Sequence, residues 1–390
     1  MGQDRFRIMN VVGARPNMIK VAPLAAEMQR HADLEPVIVH TGQHYDYSMS
    51  QVFFEQLNIP EPHYNLEVGS GTHHAQTAEI IRRFGELVQE DRPDMVVVFG
   101  DVNSTIACAL VAAKESIPVA HVEAGLRSFD RSMPEEINRI LTDGLADLLF
   151  TTEESGNINL ANEGADPKKL FFVGNLMIDS LVGALGAARQ SFRSSGLGLN
   201  KRQYGVVTLH RPSNVDDPVQ LTATLAALAE VAQTIPIIFP VHPRTRQKIL
   251  SSGCASAHSW DGASPIAGSG LWLIPPASYL DFLGLVDSAA MVITDSGGIQ
   301  EETTYLGVPC LTYRDNTERP ITVTVGTNRL IGANPAALVR QAAQVLREVK
   351  PEEGFTHHTP ELWDGHAAPR VVDALRQYLI ARRSGQAVAA

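Results

Sequence analysis

The stretch Met95-Val96-Val97-Val98-Phe99-Gly100-Asp101-Val102-Asn103-Ser104 decides the fold. Its apolar run has no alternation with polar residues, so the predicted strand is covered on both faces. A glycine and an aspartate end it, and a helix is predicted from Ser104 to Lys114. Strand, tight turn and helix in that order are the unit of a parallel sheet, because a parallel neighbour needs a crossover long enough to hold a helix. Outward from this unit the alternation recurs. Further strands are predicted at 6–12, 36–40, 119–123, 148–152 and 170–173, and helices at 18–30, 134–145 and 154–163.

The strand signal then stops. Gly183 to Asn200 is rich in Gly, Ser, Ala and Arg and reads as a break between domains. Strands resume at 204–209, 235–241, 272–274, 291–294, 308–312 and 329–331, with helices between them. Ser251 to Ser269 reads as a surface excursion, and 368–383 as a last helix ahead of a frayed tail. The fold class is therefore α/β, with two Rossmann-like doubly wound domains at residues 1–182 and 200–367. An interdomain cleft at the carboxyl ends of the strands is the expected ligand site.

Composition narrows the function. The 390 residues are 44% hydrophobic and 19% charged, which suits buried cores rather than disorder. Lys plus Arg is 32 against 43 for Asp plus Glu, a net charge of -11, which argues against nucleic acid as a partner. Cys108, Cys254 and Cys310 are far apart and odd in number, so neither a disulfide framework nor a zinc site is expected, and a cytoplasmic location is. No apolar run approaches the ~18 residues of a membrane span, and the polar Met1-Gly2-Gln3-Asp4-Arg5 does not read as a signal peptide.

Four constellations follow predicted strands. Thr294-Asp295-Ser296-Gly297-Gly298-Ile299-Gln300-Glu301-Glu302 opens a helix with small residues, which suits a phosphate on exposed N–H groups and equally an ordinary capped helix start. Glu302 stands one turn in, where a ribose diol would lie. Gly13-Ala14-Arg15-Pro16-Asn17-Met18-Ile19-Lys20 lacks the dinucleotide fingerprint but offers Arg15 and Lys20 as cations for a diphosphate; a lone Lys20 reads equally as a solvated surface cation. Asp101, Glu123 and the Glu135-Glu136 pair form a carboxylate set in which crowding would raise one pKa and yield an acid and a base; capping is the alternative for Asp101 and Glu135. His210-Arg211 would stabilise departing phosphate charge. His73-His74, His357-His358 and His40 with His44 lack metal-ligand spacing and read as surface or loop residues, so no metal is expected.

Taken in order, Gly13-x-Arg15-Pro16-x-x-x-Lys20, Gly100-Asp101, His121-Val122-Glu123-Ala124-Gly125-Leu126-Arg127, Pro134-Glu135-Glu136-x-Asn138-Arg139, His210-Arg211, Asp295 to Glu302 and Thr317-Glu318-Arg319-Pro320 resemble the non-hydrolysing UDP-N-acetylglucosamine 2-epimerases. The resemblance implies a glycosyltransferase-B type fold whose C-terminal helix, 368–384, returns to the first domain. It implies a homodimer with a UDP-sugar substrate and no cofactor, in which UDP is eliminated to a 2-acetamidoglucal and re-added with inversion at C2. It marks Asp101, Glu123 and Glu135 as acid–base groups and His210 as assisting UDP departure. Arg15, Lys20, Arg139, Arg211, Ser296, Gly297, Gly298 and Arg319 become substrate contacts, with Glu302 at the ribose and Phe282 near the uracil. Gln43, His44 and His242 match part of a second, regulatory UDP-sugar site of some members, although Gly69 stands where an Arg is expected there. Asn17, Ser213 and Ile321 depart from the common Glu or acid at their positions. Thr41-Gly42-Gln43-His44 and Arg139-Ile140-Leu141-Thr142-Asp143 also resemble relatives that epimerise UDP-2,3-diacetamido-2,3-dideoxyglucuronic acid. A UDP-sugar glycosyltransferase, a nucleotide-sugar sensor and a hydrolysing epimerase are the competing classes.

Overall fold

The computed structural model describes residues 5–43, 56–57, 59–241, 243–251, 257–260, 262, 264–348 and 358–385. The chain forms two compact units, Met1–Ser180 with Glu361–Ala390, and Leu181–Pro360.

The first unit alternates β1 (Phe6–Val12), α1 (Arg15–Met28), β2 (Leu34–His40), β3 (Tyr64–Asn65), α2 (His73–Glu90), β4 (Met95–Phe99), α3 (Asn103–Lys114), β5 (Val119–Val122), α4 (Pro134–Leu145), β6 (Leu148–Thr151), α5 (Glu154–Asn162) and β7 (Leu170–Phe172). Its sheet is ordered β3-β2-β1-β4-β5-β6-β7, and every neighbouring pair is parallel. All five residues of β4 are buried, as its unbroken apolar run requires. The chain winds outward in both directions from β1 and β4, so their carboxyl ends form a topological switch point.

The second unit repeats the plan with β8 (Gly205–Thr208), α8 (Pro218–Val231) after the short α7 (Pro212–Val215), β9 (Pro236–Pro240), α9 (Pro243–Ser251), β10 (Ala257–Ser259), β11 (Gly270–Ile274), α10 (Tyr279–Ser288), β12 (Met291–Thr294), α11 (Gly297–Leu306), β13 (Cys310–Thr312), α12 (Ile321–Thr324), β14 (Asn328–Leu330) and α13 (Pro335–Glu348). Its sheet is ordered β10-β11-β9-β8-β12-β13-β14, again parallel throughout. The switch point falls between β8 and β12.

Three expectations are corrected. The supposed break after residue 182 is helical as far as Ser194, in a helix spanning Leu176–Ser194. It crosses α10 closely: a Cβ on Gly284 of α10 would stand 2.4 Å from the carbonyl oxygen of Ala188. The excursion after Ser251 contributes the edge strand β10, paired with β11. His73 and His74 are exposed, as expected, at the start of α2, which buries Gln76, Ile80, Phe84, Leu87 and Val88 at helical spacing. Residues 361–367, assigned by sequence to the second domain, belong to the first unit. There Trp363 is 1% exposed and its indole N–H donates to the Thr152 carbonyl at 2.8 Å. Gly174, at φ +88°, lets Leu362 lie against it, since a Cβ there would be 2.1 Å from the Leu362 carbonyl oxygen.

The last helix, Ala367–Arg383, starts without a cap of its own. Asp179 supplies one across the sequence, accepting the N–H groups of Ala367 and Ala368 at 3.0 and 2.7 Å. Burial pushes the Asp179 carboxyl above the usual range despite these bonds. Asp179→Ala leaves both amides unmet and is expected to cost about 1–2 kcal/mol in urea denaturation; an unchanged midpoint would exclude the cap.

Candidate active site

In the first unit the candidate groups stand behind β1, β4 and β5. The turn after β1 is fixed by Asn17, whose side-chain oxygen accepts the N–H groups of Gly13 and Ala14 at 3.2 and 3.1 Å and whose amide donates to the Phe99 carbonyl at 3.0 Å. A carboxylate could accept these amides but has no hydrogen for the Phe99 carbonyl, so the departure at Asn17 ties the β1 turn to the end of β4. Arg15 is exposed in the same turn. Lys20 is not a solvated cation: it is 4% exposed and its ammonium meets the carboxylate of Glu123, itself 5% exposed. Glu123 sits at φ +74°, a left-handed conformation unusual for a side-chain-bearing residue. Its N–H and that of Ala124 both bond the Phe150 carbonyl at 3.0 Å, which holds the strained turn in place.

Asp101 receives Arg139 through Nη2 at 2.7 Å and Nε at 3.0 Å. The third arm of Arg139 meets Glu136 at 2.8 Å. Glu136, buried, also accepts the N–H groups of Ser128 and Phe129 at 2.8 and 3.0 Å. Arg139, expected as a substrate contact, is thus 3% exposed and spent on two carboxylates. Asp101 and Glu123 each have a cation of their own, Arg139 and Lys20. Glu135 is half-buried and, with Asp101, Asn103, Asn138, Gln43 and His73, lines a hollow of about 310 Å³. Gln43 is tied through its side-chain oxygen to the Ser104 N–H and hydroxyl at 3.0 and 2.7 Å. His44 and His242 lie outside the described residues.

In the second unit the groups stand behind β8, β12 and β13. Asp295 is wholly buried and gathers the β8 turn around itself. It accepts the His210 N–H at 3.1 Å, the Arg211 N–H at 2.9 Å and the Asn214 amide at 3.0 Å. The His210 ring presents Nδ1 to it at 2.7 Å while 63% of that side chain stays exposed. Burial pushes the Asp295 carboxyl up, but the hydrogen bond and charge of His210, with Asn214 and the Arg211 amide, hold it below the usual carboxylate range. The sequence places Asp295 in a phosphate-binding stretch or a helix cap but not as the partner of His210; the signal for that was its place at the end of the strand paired with β8.

Ser296 is the N-cap of α11, yet its hydroxyl caps nothing within the helix. Ser296, Gly297 and Gly298 are half-exposed, so this helix start can present backbone N–H groups to an anion. A Cβ on Gly297 would lie 2.5 Å from Arg319 Nη1 and 2.8 Å from Glu318 Oε1, so only glycine lets that guanidinium approach. Arg319 is 7% exposed, held by Glu318 at 2.5 Å and Glu301 at 2.9 Å, and Glu318 is bonded in turn by Arg314 at 2.8 Å. Glu302 is buried in the first turns of α11, and the Arg211 guanidinium donates to the Asp295 carbonyl at 3.2 Å. Phe282 is half-buried against the core cluster that includes Ile274 and Leu285; those two also line an apolar hollow of about 220 Å³ with Trp260, Pro275 and Pro276. Ser213 is exposed in α7, and Ile321 half-buried at the start of α12.

Residues 26–376 match the model of the UDP-N-acetylglucosamine 2-epimerase family. The chain belongs to that family. It is 42% identical over 374 residues to a UDP-N-acetylglucosamine 2-epimerase homolog of Methanococcus maripaludis, covering 95% of this chain and 99% of the relative. It is 39% identical over 373 residues to the UDP-2,3-diacetamido-2,3-dideoxy-D-glucuronate 2-epimerase of Pseudomonas aeruginosa, with coverage of 95% and 99%. Among solved structures, the Methanocaldococcus jannaschii UDP-GlcNAc 2-epimerase in complex with UDP-GlcNAc and UDP is similar at TM-score 0.81 and 38% identity, covering 95% of this chain and 99% of that one.

The epimerase-family chain carries two expectations from this geometry. Gly297→Ala forces Arg319 aside and should weaken UDP binding at least ~10-fold by calorimetry; unaltered affinity would remove Arg319 and Gly297 from the nucleotide site. Because folding lowers the pKa of Asp295, its ionisation stabilises fully above the unfolded value of about 3.9, and that contribution is lost as pH falls through the lower folded value. Asp295→Asn should flatten this acid limb of stability in pH-dependent thermal melts.

Proposed function

We propose that the protein interconverts UDP-N-acetylglucosamine and UDP-N-acetylmannosamine by eliminating UDP and re-adding it. The C2 proton leaves to a carboxylate, the C1–O bond to the β-phosphate breaks, and UDP departs from a 2-acetamidoglucal. Return of UDP to C1 with a proton delivered to the other face of C2 gives the epimer. The observation that carries this reading is the pair of ion-paired carboxylates, Asp101 and Glu123, at the ends of the adjacent strands β4 and β5 in a chain of this family. Asp101, Glu123 and Glu135 are the proposed acid–base groups, with Lys20 and Arg139 orienting the first two. Positioned groups of this kind supply ~10²–10⁴ in rate.

UDP gains negative charge as it leaves. The start of α11 at Ser296, Gly297 and Gly298, with Arg211 and Arg319, is the proposed anchor for its diphosphate, and Arg15 is a proposed substrate contact of the first unit. His210, fixed by Asp295, is proposed to meet the departing charge. Glu302 is assigned to the ribose and Phe282 to the surroundings of the uracil. The family resemblance supports a cytoplasmic homodimer; among the described residues no helix is long and apolar enough to cross a membrane.

A second reading has a specific observation in its favour: identity to the diacetamidoglucuronate epimerase, 39%, nearly equals that to the first relative, 42%. Proton NMR in D₂O separates the two. Deuterium at C2 of UDP-N-acetylglucosamine with appearance of the manno isomer is the expected result. Exchange only with the diacetamidoglucuronate would establish the second reading, and consumption of either sugar only with an acceptor present would make the protein a transferase. Asp101→Asn, Glu123→Gln and Glu135→Gln are each expected to lower turnover by at least ~10² with the fold intact; full activity in all three would refute the carboxylate assignment.

A further inference from the structure

Beneath the carboxylate turns of the first unit lies a buried polar cluster that none of these roles uses. His121, on β5, has no exposed surface. Its Nδ1 lies 2.6 Å from Asp143 Oδ1 and its Nε2 lies 2.8 Å from the carbonyl oxygen of Gly100. A carbonyl has no proton to give, and neither has an ionised carboxylate. Both contacts are met only when both ring nitrogens carry hydrogen.

Asp143, from α4, is the counter-charge. Burial pushes its carboxyl up, but the charges and hydrogen bonds of His121 and Arg127 outweigh burial and hold it below the usual range. Its second oxygen accepts the Gly125 N–H at 3.1 Å and Arg127 Nη2 at 2.7 Å. Arg127 continues to Glu163, at the end of α5, at 2.6 Å. The charges in the cluster are therefore matched, as burial demands.

The two ends of the cluster hold two different turns. Gly100, at φ +62°, immediately precedes Asp101, and its carbonyl shares a peptide plane with the Asp101 N–H. Gly125, at φ +78°, follows the strained Glu123 by two residues. A Cβ on Gly125 would lie 2.4 Å from the Gly156 carbonyl oxygen, so this turn also has no room to shift toward α5.

We propose that His121, doubly protonated and clamped by Asp143, is a positioning residue that sets the placement of Asp101 against Glu123. It touches backbone and Asp143 rather than substrate, and it rests on the assignment of those two carboxylates to the chemistry. The charged groups facing the ring are Asp143 from α4 and, through it, Arg127 from the turn after β5. The carboxylates of Glu123 and Asp101 are taken up by Lys20 and Arg139.

Two substitutions separate the contacts. His121→Asn places an amide where Nδ1 stands, keeping Asp143 satisfied and releasing the Gly100 carbonyl. His121→Gln reaches the Nε2 position and keeps the Gly100 bond. In C2-proton exchange assays, His121→Asn is expected to lower kcat at least ~10-fold with KM nearly unchanged, because a displaced reacting group costs rate rather than binding. His121→Gln is expected to retain most of kcat. Wild-type kcat in His121→Asn, or equal loss in both variants in proportion to their folded fraction, would overturn the proposal. So would ¹⁵N-histidine NMR of the wild-type protein in the assay buffer showing a single N–H on His121. An inactive wild-type protein would instead refute the epimerase reading itself, which distinguishes the two failures.

Discussion

Parallel strands that wind in opposite directions from a central pair leave an opening at one end of the sheet, and the candidate groups of this protein cluster at such openings. The strand order reverses at β1 and β4 in the first unit and at β8 and β12 in the second. Crossover helices leave for opposite faces there, so the turns between strand and helix are not covered by a neighbouring connection. The turns carrying Arg15, Asp101, His210 and Ser296 follow these four strands. Glu123 and Arg314 follow the next strands outward, β5 and β13.

Charge pairing is what makes those turns rigid. Lys20 with Glu123, Arg139 with Asp101 and Glu136, His210 with Asp295, and Arg319 with Glu318 and Glu301 each bury at least one ionic partner. An isolated charge in these places would be costly, so each pair fixes the orientation of both members. The backbone is held by the same groups: Glu136 takes two amides, Asp295 two more, and Asn17 spans from the β1 turn to the end of β4. A reaction that develops charge on a phosphate and moves protons at one carbon gains most from groups that need not reorganise.

The helix start at Ser296 shows how little separates a structural feature from a binding one. A serine at an N-cap ordinarily bonds the amides of its own first turn. Here its hydroxyl does not, and the glycine after it leaves space for the Arg319 guanidinium. The helix start and the cation therefore lie close together, with Glu301 and Glu318 holding the guanidinium in place.

The sequence by itself determined the fold class and the elements near both switch points. Unbroken apolar runs such as 95–99 and 291–294 are legible because a strand buried on both faces leaves no alternation to confuse with anything else. Motif order also marked the family, since those turns carry residue types that their chemistry dictates. Small-residue composition misled at 183–194, because alanine and arginine are strong helix formers and the helix of Leu176–Ser194 tolerates the glycines among them. What only the tertiary structure decided is the partner of each charged group. Lys20 is 103 residues from Glu123 and Asp295 is 85 from His210. Those pairings depend on strand neighbours and burial, which no local pattern encodes, and they turned presumed solvent-facing cations and caps into the internal supports of the site.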